Sequence, residues 1–165
     1  THVYNIATGS WHKRRKYGLD YWHVSGHAFA FGKHIVGTSE GAGVYDMSRE
    51  YFSDDGDVLE LKHVSNVIHD QNKRFSIGKL QYIIESGVGD VSGSGHDPQI
   101  LVRFSKDDGR TYGNEKLLPM GNAGAYFQRC INRCNGSARS LCIETRITAP
   151  VKRVIVDAYV EVGSS

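Results

Sequence analysis

The sequence predicts an all-β fold built from antiparallel sheets, arranged either like propeller blades or like a sandwich. Three observations support this expectation. Apolar and polar residues alternate over short stretches, and turn residues interrupt these stretches roughly every 8 to 12 residues. The candidate helical periods are broken by glycine or by alternation. The 165 residues include 19 glycines but only 3 prolines, which suits a chain with many tight turns.

Residues 1–70 are expected to form a propeller-blade-like β region. Gly32 and Lys33 should turn the chain between two strands, and segment 38–43 should form a loop. The acidic segment 54–57 is interpreted as a turn, because the final Glu of an EF-hand calcium loop is absent. The predicted strands cover residues 3–6, 11–15, 27–31, 34–37, 44–47 and 58–64.

Residues 71–165 are expected to form a C-terminal β region, either as a second domain or continuous with the first. Glycine and serine make segment 87–97 a polar loop. The predicted strands cover residues 74–85, 99–104, 111–112, 125–134, 139–148 and 151–162.

A hairpin is predicted at Asn135-Gly136, between two long extended stretches. Both residue types tolerate a positive φ, so Asn-Gly is a strong signal for a two-residue hairpin turn. That register would place Cys130 opposite Leu141 and Arg129 opposite Cys142. Cys130 and Cys142 would then face opposite sides of the sheet and would not form a disulfide.

A second hairpin is predicted at residues 105–109. Ser105-Lys-Asp107-Asp-Gly109-Arg-Thr111-Tyr112 fits the pattern Ser-x-Asp-x-Gly-x-Thr-aromatic, known as an Asp box. Asp107 can accept hydrogen bonds from the backbone of the turn, and Gly109 can supply a positive φ. The hydroxyls of Ser105 and Thr111 can add further bonds. The pattern predicts a well-specified turn and carries no catalytic chemistry of its own.

Catalytic, cofactor and metal sites are not expected. The chain lacks a phosphate-binding glycine loop, a His-Glu-x-x-His pair and a nucleophile elbow. Its three cysteines are interpreted as reduced, packed side chains, because an odd number does not make a disulfide framework. The net charge is only +2, and the basic segment 12–16 is either a solvated turn or a contact for DNA or a partner. No apolar stretch approaches the roughly 20 residues of a membrane helix.

Several ordered motifs of the C-terminal region resemble one known family. They are Asp97-Pro98-Gln99-Ile100 leading into the segment from Ser105 to Gly113, Gly121-x-x-Gly124-x-Tyr126-x-x-Arg129, Gly136-x-Ala138-Arg139, Ile147-Thr148-Ala-Pro150-Val151 and Ala158-Tyr159-x-Glu161. In this order and spacing they resemble the end of the tail hub, or nozzle, proteins of short-tailed bacteriophages, also called packaged-DNA stabilisation proteins. Tyr4-Asn5-x-x-Thr8-Gly9-Ser10-Trp11 and Phe31-Gly-Lys also resemble that family. The chain departs from it at Asn132 and Asn135, where many members carry an aromatic residue and a leucine.

The resemblance implies a structural virion protein, made in the host bacterial cytoplasm, and not an enzyme. Family proteins are several times longer than this chain, so we expect it to be the C-terminal portion of a longer one. They form a homo-oligomeric ring below the portal, continue the DNA channel and help to retain packaged DNA. They also dock other tail proteins such as the portal adaptor, needle, fibres or spikes. The ring would contact DNA non-specifically, and no cofactor is implied.

Two alternatives remain open at this point. The Asp box and the aromatic residues Trp11, Tyr17, Tyr21 and Trp22 are also compatible with a carbohydrate-binding β-domain. A sialidase-like glycosidase fragment is the third hypothesis, because Asp boxes occur in sialidase propellers. No spacing of arginine, tyrosine and glutamate in this sequence singles out such a site.

Overall fold

Strands and tight turns make up nearly all regular structure in the computed structural model, which describes residues 1–133 and 135–164. Contacts divide the chain into two units, Thr1–Leu59 and a second unit that begins at Glu60. The expected division after residue 70 lies inside the second unit, because strands at 61–64 and 68–69 pair with the strand at 140–147.

The first unit consists of three separate antiparallel sheets. Its strands are β1 His2–Asn5, β2 Ser10–Lys13, β3 Val24–Ala30, β4 Lys33–Thr38, β5 Val44–Asp46, β6 Ser53–Asp54 and β7 Asp57–Val58. β1 pairs with β2, β3–β4–β5 form a meander, and β6 pairs with β7. The β3–β4 turn consists of Phe31 and Gly32, with φ angles of 53° and 72°. A propeller blade is a single sheet of four strands, so the propeller-blade alternative is wrong for this unit.

The second unit contains two sheets. Its strands are β8 Leu61–Val64, β9 Ile68–His69, β10 Phe75–Ile84, β11 Gln99–Ser105, β12 Lys116–Pro119, β13 Cys130–Arg133, β14 Ser137–Ala138, β15 Ser140–Ile147 and β16 Ile155–Ser164. In the first sheet, β10 pairs with β16 on one side and with β13 and β14 on the other. In the second, β12, β11 and β15 are neighbours, and β8 and β9 pair with the far side of β15. All these pairs are antiparallel, as predicted.

One apolar core joins the two sheets. Leu80 of β10 is 1% exposed, and Ile100 of β11 and Leu141 of β15 are fully buried. The hydroxyl of Tyr82 and Oγ1 of Thr145 lie 2.6 Å apart in this core and connect the sheets by a buried hydrogen bond. Burying each large aliphatic side chain stabilises the fold by about 1.5–3 kcal/mol. The sandwich alternative of the prediction is therefore confirmed.

A β-bulge explains how β10 keeps its apolar side chains in the core. Phe75 and Ile77 point inward before the bulge, and Leu80 and Tyr82 point inward after it. The register with β16 shifts between Ile77 and Lys79, so Gly78 is the extra residue. A bulge moves the alternation by one residue, which a strict period of two along the sequence cannot reveal.

The predicted hairpin at Asn135-Gly136 is wrong. β13 and β14 both pair with β10, one after the other, and they continue along the same side of that strand. The proposed register also fails, since Cys130 lies opposite Tyr82 and Cys142 lies opposite Ser105. Asn-Gly allows a turn but does not require one, and pairing with the long strand β10 is what shapes this segment.

The predicted hairpin at 105–109 exists, but its second strand lies later than expected. β11 returns through β12, with Val102 opposite Lys116 and Ile100 opposite Leu118. Thr111 and Tyr112 belong to the connection and not to a strand. The predicted strand 125–134 also begins too early, because regular pairing starts only at Cys130, and its last residue lies outside the described residues.

Candidate functional site

The segment from Ser105 to Thr111 forms a turn held together by its own side chains. Ser105 Oγ lies 2.6 Å from Asp107 Oδ1 and accepts a hydrogen bond from the Gly109 N–H at 2.9 Å. The Asp107 carboxylate accepts hydrogen bonds from the Thr111 N–H at 2.9 and 3.0 Å and from the Thr111 hydroxyl at 2.6 Å. The three polar side chains selected from the sequence therefore form one network.

The backbone and charge of this turn match the chemistry expected from its residues. Gly109 has a φ of 85°, and Asp108 has a φ of 60°. Hydrogen bonds from Ser105 and Thr111 hold the pKa of the Asp107 carboxyl well below its usual range. Both carboxylate oxygens of Asp107 accept hydrogen bonds from Ser105 or Thr111, which belong to the turn itself. The network therefore stabilises the connection between β11 and β12.

The turn is fastened to the outer side of the second sheet. Ser105 is fully buried, and the Gly113 N–H donates to the Phe104 carbonyl at 2.9 Å. The guanidinium carbon of Arg103 lies 5.3 Å from the ring centre of Tyr112, within the range of a cation–π contact. The aromatic residue that closes the sequence pattern thus packs back on β11.

Asn135 and Gly136 have a different role from the one predicted. The Asn135 N–H donates to the Ile77 carbonyl at 3.1 Å, and the Ile77 N–H donates to the Gly136 carbonyl at 2.7 Å. Asn135 Oδ1 accepts from Lys116 Nζ and from Asn132 Nδ2, each at 2.8 Å. The two residues therefore bridge β13 and β14 along the edge of β10, and Asn132 contributes to this polar contact.

A buried charge cluster at Glu144 was not singled out from the sequence. Glu144 is 3% exposed, and its carboxylate binds Lys62 Nζ at 2.8 Å and Arg103 Nε at 2.9 Å. The Arg146 guanidinium also lies near, with Nε 3.6 Å from Oε1, and it pairs with Glu115. These side chains come from β8, β11, β15 and the connection before β12. The alternation of Glu144 and Arg146 along β15 was the only feature of the sequence that pointed to this cluster.

The ionisation of Glu144 follows from two opposed influences. Burial is the largest and raises the pKa of a carboxyl group, but the hydrogen bonds and positive charges of Lys62 and Arg103 together outweigh it. The pKa of Glu144 is therefore held below its usual range. A buried carboxylate with matched cations is a structural cluster that ties three strands together.

Two of the three cysteines lie in the sandwich as free thiols. Cys130 Sγ donates to the Pro119 carbonyl at 2.8 Å, and Cys142 Sγ lies 3.1 Å from the Ser65 carbonyl. Burial raises the pKa of Cys130 to about 11, so this thiol is protonated and unreactive at neutral pH. Cys134 lies outside the described residues.

The basic segment 12–16 does not form an open patch of free cations. Lys13 pairs with Asp20 at 3.9 Å, and Lys16 pairs with Asp57 at 3.2 Å. The guanidinium of Arg14 lies 5.0 Å from the ring centre of Trp22. These contacts within the first unit indicate a solvated, internally paired segment that continues from the end of β2.

Aromatic side chains of the first unit are open to solvent. Tyr4 and Trp11 lie opposite each other on β1 and β2, with ring centres 5.0 Å apart, and Trp11 is 71% exposed. Tyr17 and Tyr21 are also exposed. The aromatic residues noted in the sequence therefore share a unit, and one of them, Trp11, packs against Tyr4 with the two rings tilted by 44°.

The described residues hold no group of three or more His, Cys, Asp or Glu side chains that could bind a metal ion. A small pocket in the first unit is lined by Lys16, His23, Thr38, Glu40, Tyr45, Asp54 and Asp55. Within residues 1–133 and 135–164, no helix has the length and apolar character needed to cross a membrane.

Residues 60–163 match the family model described as Bacteriophage P22 Gp10, beta-sandwich. This stretch begins where the second unit begins and contains both of its sheets. The chain belongs to this family. No curated protein sequence matches the chain.

Membership of the P22 Gp10 β-sandwich family confirms the resemblance drawn from the C-terminal motifs. It identifies the chain as a structural protein of phage tails, and hence of the virion. The family match and the two-sheet architecture agree on the sandwich, and the sheets are not closed into a propeller.

Proposed function

We propose that this chain is a component of the short tail hub or nozzle, which lies below the portal, helps to retain packaged DNA and docks other tail proteins. The observation that carries the proposal is the match of residues 60–163 to the P22 Gp10 β-sandwich family. The motif order from Asp97 to Glu161, all of it inside the matched stretch, supports the same conclusion.

The second unit has the rigid, well-packed structure that a component of a mechanical assembly needs. Its core contains fully buried side chains from both sheets, and the hydrogen bond between Tyr82 and Thr145 connects them. The cluster at Glu144 and the turn at 105–111 reinforce the outer side of the second sheet. Densely packed sandwiches deform little, so their surfaces can present the same contacts in every copy of an assembly.

The proposed partners follow from this role. Copies of the full-length protein form a ring, and the ring contacts the portal adaptor, the needle, and fibres or spikes. Contact with DNA is non-specific and confined to the channel. The protein is made in the host bacterial cytoplasm and works in the virion without a cofactor and without catalysis.

Particles that lack the protein test the proposal directly. Phage assembled without it should package DNA and then lose it, which nuclease protection of the encapsidated DNA measures. Adding back the wild-type protein, or a Leu117→Ala variant altered at an exposed position, should restore retention. Particles that hold their DNA and carry complete tails without this protein would contradict the proposed role.

Carbohydrate binding is the second candidate, favoured by the exposed pair of Tyr4 and Trp11. Aromatic faces open to solvent are suited to stack on sugar rings. Glycan-array binding that Trp11→Ala abolishes would support it, with Tyr51→Ala as a control at another exposed aromatic residue of the same unit. A fluorogenic sialoside assay decides the glycosidase hypothesis, and turnover would contradict the structural role.

A further inference from the structure

Two histidine side chains meet on one face of the β3–β4 hairpin. His27 Nε2 and His34 Nδ1 lie 2.9 Å apart, and the centres of the two rings are 5.2 Å apart. Both residues are exposed to solvent. Because the nitrogens are much closer together than the ring centres, the two nitrogens face each other across the gap between the rings.

The pairing of β3 with β4 brings these histidines together. Phe29 lies opposite His34, and His27 lies two residues before Phe29 and therefore on the same face. Residues placed diagonally across two strands are within reach of each other when their side chains are aromatic. The Phe29 ring lies 5.0 Å from the His34 ring and packs against it. The hairpin thus places both imidazoles side by side before any ligand binds.

The hydrogen bond between the two rings leaves this pair available for a ligand. It requires an N–H on one ring nitrogen and a lone pair on the other. A hydrogen bond at an exposed position contributes little, because water offers both nitrogens other partners. Neutral imidazole nitrogens are the commonest protein ligands of transition metals. A metal ion can therefore replace the shared proton.

We propose that His27 and His34 form a binding site for a Cu²⁺ ion, with water in the remaining coordination positions. The inference goes beyond the proposed hub function and does not depend on it. The ion takes no part in a reaction and links β3 to β4. In residues 1–59, Val36 is the single hydrophobic side chain counted as buried, so a link between strands adds to a small core. An ion that binds only the folded state stabilises that state.

The distance between the nitrogens distinguishes among metal ions. A metal ion lies about 2.0–2.1 Å from an imidazole nitrogen. Two such bonds at a right angle, as in the square-planar geometry of Cu²⁺, place the nitrogens about 2.8–3.0 Å apart, whereas the tetrahedral angle of Zn²⁺ places them about 3.3–3.4 Å apart. The observed 2.9 Å fits the right angle. Ni²⁺ shares this angle, but Cu²⁺ binds nitrogen ligands more tightly.

The side chains need to move only slightly to bind the ion. Both lone pairs point at one ion in a right-angled site when each ring turns by about 45° from the line between the nitrogens. The χ2 torsion of histidine has a broad minimum, so an exposed ring can make this turn. The positive charge next to His34 in the sequence is compensated, because Lys33 faces the other side of the hairpin and pairs with Asp46 at 3.1 Å.

Copper titration of the full chain tests the site. Calorimetry should show one equivalent of Cu²⁺ whose dissociation constant rises at least about tenfold in His27→Gln and in His34→Gln, because each variant leaves a single imidazole. Glutamine keeps a polar side chain at the position, and circular dichroism confirms that each variant is folded. The control His12→Gln, at an exposed position of β2, should bind Cu²⁺ like the wild type. A wild-type chain that binds only at millimolar Cu²⁺, or histidine variants that bind like the wild type, would overturn the proposal.

Spectroscopy and a second metal test the geometry. Electron paramagnetic resonance of the Cu²⁺-loaded chain should lose one imidazole nitrogen coupling in either variant. Zn²⁺ should bind at least about tenfold more weakly than Cu²⁺, and equal affinities would contradict the right-angled site. Hydrogen exchange in β3 and β4 should slow when Cu²⁺ is added to the wild type but not to His34→Gln. Exchange that Cu²⁺ leaves unchanged in the wild type would show that the ion does not link the strands. The DNA-retention experiment tests the hub role separately.

Discussion

The two units of the chain are built from the same kind of element, but they bury very different amounts of apolar surface. In residues 1–59, all of which are described, Val36 is the single hydrophobic side chain counted as buried. In the second unit, Ile100, Val102, Leu141 and Ile147 are all fully buried. Alternation and turns are sufficient to make strands. A core additionally requires two sheets whose apolar faces meet.

The difference also appears at the surface of the first unit. Trp11 is 71% exposed, Phe29 66% and Phe31 95%. We expect the second unit to supply most of the stability, and the following experiments test that contrast from the largest effect to the smallest.

Ile100→Ala should produce the largest loss, about 2–5 kcal/mol of the second unit's unfolding free energy, because it leaves a cavity between the sheets. Hydrogen exchange in β11 and β15 reports on this unit, while the fluorescence of Trp11 and Trp22 reports on the first. Val36→Ala should cost far less. The neighbouring control Leu117→Ala, at an exposed position of β12, should change stability by less than about 0.5 kcal/mol. If Val36→Ala were as costly as Ile100→Ala, the contrast between the units would fail.

Glu144→Gln should lower the stability of the second unit by about 1–3 kcal/mol, since it leaves Lys62 and Arg103 without their shared counter-charge. Those two side chains are 38% and 32% exposed, so water compensates for part of the loss. Denaturant unfolding followed by hydrogen exchange measures it. The control Glu85→Gln removes the exposed pair with Lys152 and should cost about 0–1 kcal/mol. Equal costs would show that burial adds nothing to the cluster.

Ser105→Ala should cost about 1–2 kcal/mol, because the Gly109 N–H and the Asp107 carboxylate both lose a partner at a fully buried position. Exchange should accelerate first in the segment between β11 and β12. Ser140→Ala removes only a 3.4 Å bond to the Lys106 carbonyl and serves as the control. An unchanged exchange rate in the turn of Ser105→Ala would mean that the hydroxyl does not hold it.

Asp107→Asn should produce the smallest effect, and one that depends on pH. Hydrogen bonds from Ser105 and Thr111 lower the pKa of Asp107 in the folded state, so the ionised group stabilises the fold at a pH above its unfolded pKa of about 3.9. This contribution is lost as the pH falls from about 4 toward the lower folded pKa. The stability difference between wild type and Asp107→Asn, measured by unfolding at successive pH values, should shrink over that range. A difference that stayed constant down to pH 2 would contradict this account.

Much of this protein follows from short stretches of its sequence. Alternation placed β3, β4, β10, β11 and β15 close to their observed positions, and the residue types at 105, 107, 109 and 111 specified a turn that the structure contains. The order of the C-terminal motifs indicated the family. Such features depend on neighbours within a few residues, where backbone preference and local hydrogen bonds decide the conformation.

Which distant strands pair with each other depends on the folded structure and could not be predicted from local sequence. Asn135-Gly136 has the local chemistry of a hairpin, yet β13 and β14 both lie along β10, because that strand offers a long row of backbone groups beside the core. The bulge at Gly78 and the charge cluster at Glu144 likewise join residues that are far apart in the chain. A turn signal such as Asn-Gly shows only that the backbone can turn at one place. Which strands pair and which side chains are buried depends on the free energy of the whole sandwich.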